Sequence, residues 1–208
     1  MIMKRVFNLL VVDESGSMSI IERQALIGIN ETLTTIQKMQ ATHKNLFYDN
    51  VSAKKANPLK AKDYNPCGAT PLYDAIGMGI AKINAQVTEQ DSVLVTIITD
   101  GEENCSEEYS LKMIKNLIEK LKKQNWTFTF IGTDDLDVES IALDMGIDNH
   151  LQFSEDEAGT REMFVRENRA RERYNKCRAM DCALPIGSYF KDEKEEKKEL
   201  RRKGKREG

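Results

Sequence analysis

Two stretches of this chain, "VFNLLVV" at 6–12 and "SVLVTIIT" at 92–99, are almost continuously apolar and rich in β-branched residues. A strand with one wet face alternates apolar and polar residues. A strand covered on both faces reads as an unbroken run, as in a parallel sheet with helices on either side. Each run stops at an aspartate, Asp13 or Asp100. "WTFTFIG" (126–132) and the weaker "HLQF" (150–153) add two strands, and "NLFYDNVSA" (45–53) is a less clear fifth.

Parallel strands require crossovers, and helical periods fall between them. In 20–40, Ile21, Leu26, Ile29, Leu33, Ile36 and Met39 recur at three- to five-residue intervals. Leu72, Ile76, Ile80 and Ile83 form a stripe in 71–87, as do Leu111, Ile114, Leu117, Ile118 and Leu121 in 107–124. The acidic start and lysine-rich end of 107–124 suit the helix dipole. A short helix over 137–146 closes at Gly146, a good C-cap. Strand and helix in alternation predict an α/β fold: a doubly wound, mainly parallel central sheet with helices on both faces.

The character changes after Phe153. Residues 1–157 read as the domain and 158–190 as a C-terminal helical extension, whose helix from about 160 to 178 carries the thin stripe Met163, Ala170, Tyr174 and Cys177. The segment 191–208, "KDEKEEKKELRRKGKREG", has almost no apolar residue and is expected to be disordered. The 208 residues carry a net charge of −3, with glutamates interspersed in the basic tail. Nothing there asks for nucleic acid as a partner. The apolar run after Lys4 and Arg5 breaks at Asn8, short of a signal peptide, and no stretch reaches a membrane span. The four cysteines, Cys67, Cys105, Cys177 and Cys182, lack structural-zinc spacing and are expected to be reduced thiols in a cytoplasmic protein.

In an open α/β sheet the loops at the carboxyl ends of the strands build the site. "VVDESGSMS" (11–19) places Asp13, Ser15, Ser17 and Ser19 directly after the first strand. Ser19 and Glu22 match a capping box, which assigns Ser19 to structure and leaves Ser15 and Ser17 without a capping task. Thr70 before Pro71 reads, taken alone, as a helix N-cap with proline at N1, and Asp100-Gly101 alone as a turn. Together, Asp13, Ser15, Ser17, Thr70 and Asp100 make a hard-oxygen set suited to Mg²⁺ or Mn²⁺, with Ca²⁺ a further option. Two carboxylates and three neutral hydroxyls leave a coordination position for water or for a partner's carboxylate. Such a site grips an acidic side chain, and the chain is expected to bind rather than catalyse.

These stretches, D-x-S-G-S-M after an apolar strand, G-x-T-P-L before a helix and T-D-G after a central strand, resemble the von Willebrand factor type A (vWA) domain and its metal-ion-dependent adhesion site. "TPLYDAIG" and "TDGEEN" are similar to its bacterial intracellular members. The resemblance covers about residues 4 to 153. It implies a Rossmann-like vWA fold in which Asp13, Ser15, Ser17, Thr70 and Asp100 surround the ion. It also implies a protein–protein interaction in which a Glu or Asp of the partner completes the shell. Members of that family usually have two strands between the first helix and the threonine loop, where 43–66 supplies only one convincing stretch, so either an edge strand is missing or the sequence lacks a stretch there.

The rival reading is a Mg²⁺-dependent phosphoryl-transfer enzyme of haloacid-dehalogenase-like type. That pattern has a second acid two residues after the first aspartate, where this chain has Ser15. Neither GxGxxG nor GxxxxGK[ST] occurs, so a nucleotide cradle has no support. His43 and His150 read as boundary residues and Glu102 and Glu103 as solvated loop acids. Cys67 and Cys105 flank the site as soft ligands that do not match its hard oxygens.

Overall fold

A computed structural model describes residues 5–39, 44–47, 51–52, 55–180, 182 and 184–191. Residues 192–208 of the expected tail 191–208, and His43, lie outside the described residues. Elements follow in the order β1 (Arg5–Val12), α1 (Glu22–Met39), β2 (Lys44–Phe47), β3 (Val51–Ser52), α2 (Leu72–Asn84), β4 (Ser92–Thr99), α3 (Leu111–Lys122), β5 (Trp126–Thr133), α4 (Val138–Asp144), β6 (Asn149–Phe153) and α5 (Glu157–Ala179). The strands form one sheet in the order β3-β2-β1-β4-β5-β6, parallel throughout except for the β2/β3 pair.

The uncertain stretch 45–53 therefore yields two strands. Leu46 pairs with Ser52 and Phe47 with Val51 in an antiparallel edge hairpin, so the edge strand thought missing is present. It is hard to read because β3 is two residues long, too short to show a period.

The even-and-odd register of the strands sorts the core into two layers. Phe7, Val93, Val95, Ile97, Phe128 and Phe130 meet Ile76, Ile80, Ile114 and Ile118 of α2 and α3. On the other face Ile98, Ile131 and Leu151 meet Ile21, Ala25 and Ile29 of α1 and Met163 and Phe164 of α5. A Cβ at Gly28 would lie 2.0 Å from the Phe164 ring, so only glycine lets α5 approach α1 this closely.

The stripe of α5 is thin because part of its buried face is ionic. Arg171 and Glu167 are 0% and 1% exposed. Arg171 reaches Glu167 Oε1 at 2.6 Å, Thr96 Oγ1 at 2.8 Å and Asn8 Oδ1, and the Tyr189 hydroxyl donates to Glu167 at 3.1 Å. Asn8 and Thr96 are the polar residues that interrupt the two apolar runs, and this buried pair accounts for them. The segment after 157 thus shares the core of the sheet.

Helix α3 starts at Leu111, four residues later than its period suggests. Asp74 of α2 accepts the backbone N–H groups of Glu107, Glu108 and Tyr109 at 2.8, 3.0 and 2.7 Å and holds them outside the helix. Gly146 takes φ +79° after α4, as a C-terminal glycine should. Cys177 and Cys182 are joined in a disulfide, with Cα atoms 5.0 Å apart, where reduced thiols were expected. The chain reverses after α5, and Cys182 N donates to Cys177 O at 3.0 Å. Among the described residues no helix is long and apolar enough to cross a membrane.

Candidate functional site

The strand order reverses between β1 and β4: from β1 the chain crosses to β2, and β4 returns on its other side. The carboxyl ends of these two strands face the crevice where such sheets bind ligands. Asp13 leaves β1, its N–H bonded to Ile98 O of β4 at 2.8 Å. The chain then enters a 3-10 turn over Gly16–Ile20, with Ser15 extended at its start. Met18, fully buried in the α1 layer, pins this turn from below. The residues around it can then direct their polar groups upward.

All five sequence-predicted residues come together here. Ser15 N donates to Asp13 Oδ1 at 2.7 Å, the Ser15 and Ser17 hydroxyls lie 3.1 Å apart, and Ser15 Oγ is 3.4 Å from Asp100 Oδ1. A Cβ at Gly101 would stand 3.1 Å from Thr70 Oγ1, 3.8 Å from Asp13 Oδ2 and 4.0 Å from Ser17 Oγ. Oxygens from three loops thus surround a point that only glycine leaves empty. Asp100 is 5% exposed, yet its Oδ2 has no hydrogen-bond donor. Burial, with the charges of Asp13 and Glu155 added, pushes the Asp100 carboxyl up to about 6, although its hydrogen bond with Ser17 works the other way. A buried carboxylate oxygen with no donor is costly. A hard cation beside it would relieve that cost, so the residues present fit such an ion.

Thr70 is not the N-cap expected of it. Pro71 occupies that position without a side-chain cap bond. Thr70 is instead held by its backbone: its N–H donates to Asn104 Oδ1 at 2.9 Å, and Asn104 N returns to Thr70 O at 3.2 Å. Ser19 lies inside the 3-10 turn, and among the described hydrogen bonds none joins it to Glu22.

Several supporting residues were not picked out from sequence. The Thr99 hydroxyl donates to Asp13 Oδ2 at 2.6 Å and accepts from Gly101 N at 3.1 Å, linking the two aspartate loops. Tyr64 donates to Asp13 O at 2.8 Å. Glu103 is not a free loop acid: it accepts from Tyr73 N, Cys105 N and Ser106 N within 2.9 Å. These bonds, with that of the Ser106 hydroxyl, hold its carboxyl below the usual range against the opposing effect of burial. Asp74 is lowered by its bonds from Glu107, Tyr109 and Glu108. Asp74 falls off the apolar stripe of Leu72, Ile76, Ile80 and Ile83, so no period in the sequence singled it out. Cys67 and Cys105 are free and exposed beside the site. Among the described residues no three His, Cys, Asp or Glu side chains cluster as a metal centre. A set of two carboxylates and three hydroxyls does not depend on such a cluster.

Fold and strand order together define a vWA-like, Rossmann-like α/β domain. No family profile and no curated protein matches the chain. Solved structures do. The SpRpn10 VWA domain is 12% identical with a TM-score of 0.54, over 80% of this chain and 95% of that one. The pilus adhesin SpaC from Lactobacillus rhamnosus GG, in its open conformation, is 15% identical with a TM-score of 0.57, over 80% of this chain. Proximal thread matrix protein 1 from the mussel byssus is 14% identical with a TM-score of 0.51, over 78% of this chain. The chain spans 30% of the adhesin and 45% of the byssus protein. At these identities the likeness is one of fold alone.

Proposed function

We propose that this chain is a divalent-metal-dependent protein-binding module that captures a Glu or Asp side chain of a partner protein, and that it binds without turnover. The cradle over Gly101 carries this reading: oxygens of Thr70, Asp13 and Ser17 face one point, beside a buried Asp100 oxygen with no donor. Asp13, Ser15, Ser17, Thr70 and Asp100 would hold Mg²⁺ or Mn²⁺, with Ca²⁺ as a further candidate. When bound there, the ion offers an open coordination position to a carboxylate.

The chain's own residues do the positioning. Thr99 and Tyr64 fix Asp13, Met18 fixes the serine turn, and Asn104 fixes Thr70. Hard oxygens select a hard cation over a thiophilic one. The phosphoryl-transfer reading needs a free nucleophilic carboxylate and a nearby acid. Asp13 is bonded through both oxygens, to Ser15 N and Thr99 Oγ1, and the Ser15 hydroxyl does not titrate near neutrality.

The test is a MgCl₂ and MnCl₂ titration by calorimetry and thermal unfolding. Wild type is compared with Ser15→Ala/Ser17→Ala and with Gly101→Ala, which keeps every oxygen and fills the cradle. Wild type should bind saturably and gain about 2.7 kcal/mol at a hundredfold excess over Kd. Both variants should stay folded by circular dichroism and lose that gain. An undiminished response in both variants would place the cation elsewhere and end this reading.

A further inference from the structure

Each of the four parallel strands beside the site runs into acid at the same edge. Asp13 and Glu14 follow β1, Asp100, Glu102 and Glu103 follow β4, Asp134 and Asp135 follow β5, and Glu155 and Asp156 follow β6. These loops touch. Thr133 Oγ1 lies 3.5 Å from Asp100 O and also donates to Asp135, and Glu155 N donates to Asp134 Oδ1 at 3.4 Å. Such bonds satisfy an oxygen each and neutralise no charge.

No cation sits among these acids in the described residues. Ion pairs among the described residues include Arg5–Asp91, Lys122–Asp148, Arg161–Glu157 and Arg171–Glu167, none of which involves a rim acid. Asp100 supplies the observation that points to a ligand: it is 5% exposed, with an unpartnered oxygen, in the middle of this field.

On the reading above, a divalent ion balances Asp13 and Asp100 and nothing more. Glu14, Glu102, Asp134, Asp135 and Glu155 remain negative around it. A bare carboxylate approaching the ion therefore meets like charge from the loops after β1, β4, β5 and β6, and like-charge juxtaposition selects against a partner. The geometry points to a partner whose acidic residue is set within a basic segment: a Glu or Asp that enters the site, flanked by Lys or Arg that lie on the rim. This inference rests on the metal-site reading and adds the partner's charge pattern to it.

The rim acids also divide the work by position. Asp134, Asp135 and Glu155 lie on the β5 and β6 side of Asp100, whereas Glu14 lies beside Asp13 on the β1 side. Basic residues on both sides of the captured acid would meet both groups.

The full chain tests this against two displayed heptapeptide libraries, one with a central glutamate and one with a central glutamine, all other positions randomised. Selection is run in Mg²⁺ and in EDTA. The expected result is enrichment of the glutamate library in Mg²⁺ alone, with Lys and Arg favoured about threefold at each flanking position. In Asp134→Asn/Asp135→Asn/Glu155→Gln, whose amides keep the hydrogen-bond acceptors, the central glutamate should still be required and the basic preference should fall. Metal-dependent selection of glutamate with neutral or acidic flanks would overturn the inference and leave the metal site standing. The absence of any metal-dependent, glutamate-dependent enrichment would overturn both. Basic flanks retained unchanged in the triple variant would show that this rim does not select them, which also overturns the inference.

Discussion

The two ends of this sheet treat the same side chain in opposite ways. At the amino-terminal end Asp91 is 2% exposed. Arg5 donates to it through Nε at 2.9 Å and NH2 at 2.6 Å, and Thr88 donates through N and Oγ1 at 2.8 Å each. At the carboxyl-terminal end Asp100 is 5% exposed, and one of its oxygens receives nothing. Burial pushes both carboxyls up. At Asp91 the Arg5 and Thr88 bonds overcome it and leave the group lowered, and at Asp100 nothing does. One end holds strands in place. The other keeps a charge in waiting, and the fold carries the cost of doing so.

That contrast sets the signs of substitutions at three positions. The largest effect belongs to the paired end. Asp91→Ala strands the donors of Arg5 and Thr88 and should cost about 2 kcal/mol, read as a fall in Tm of about 4–8 °C in thermal unfolding. Because Asp91 is lowered in the fold, its contribution is fully present above the ordinary aspartate value of 3.8 and is lost as pH falls below that. The difference between wild type and Asp91→Asn should accordingly be constant near neutrality and shrink in acid. A difference that grew in acid would mean that Arg5 does not stabilise the charge.

The middle effect has the opposite sign. Asp100→Asn removes a desolvated, repelled charge and keeps an acceptor for Ser15. In chelator it should stabilise the chain at neutral pH by about 1 kcal/mol, while abolishing any response to Mg²⁺. A loss of stability there would show that the charge is already compensated, and the comparison between the two ends would fail.

The smallest effect refines the paired end. Lys122 meets Asp148 and also donates to Gly146 O at 3.0 Å, but both side chains are about one-third exposed. Lys122→Met should cost no more than about 0.5 kcal/mol in denaturant titration, since a solvated pair contributes little. A cost matching that of Asp91→Ala would mean that burial is not what separates strong pairs from weak ones here.

Much of this was legible in the chain. The unbroken runs in β1 and β4 required a sheet covered on both faces, and the periods of α1, α2 and α3 supplied the cover. The five oxygen-bearing residues could be picked out because each follows a strand or precedes a helix at the edge where such sheets bind. Local rules misled where tertiary bonds competed with them. Thr70 looked like a cap, but Asn104 holds its backbone. Glu107 and Glu108 looked like a first helical turn, but Asp74 takes their N–H groups. The β2/β3 hairpin was too short to carry a period. The ionic face of α5 hid its burial, because Glu167 and Arg171 add nothing to an apolar stripe, and only the fold sets Asn8 and Thr96 beneath them.

By itself, then, the order of apolar and polar residues determined the layers, the direction of the strands and the edge at which the chemistry collects, since these follow from periodicity and from the reach of the chain. Only the folded arrangement decided which charges are neutralised. That depends on distances between residues far apart in sequence: Arg5 meets Asp91, Arg171 meets Glu167, and no cation meets Asp100 among the described residues. A carboxylate's neighbours are set by the way strands and helices stack, and no local pattern around it records them.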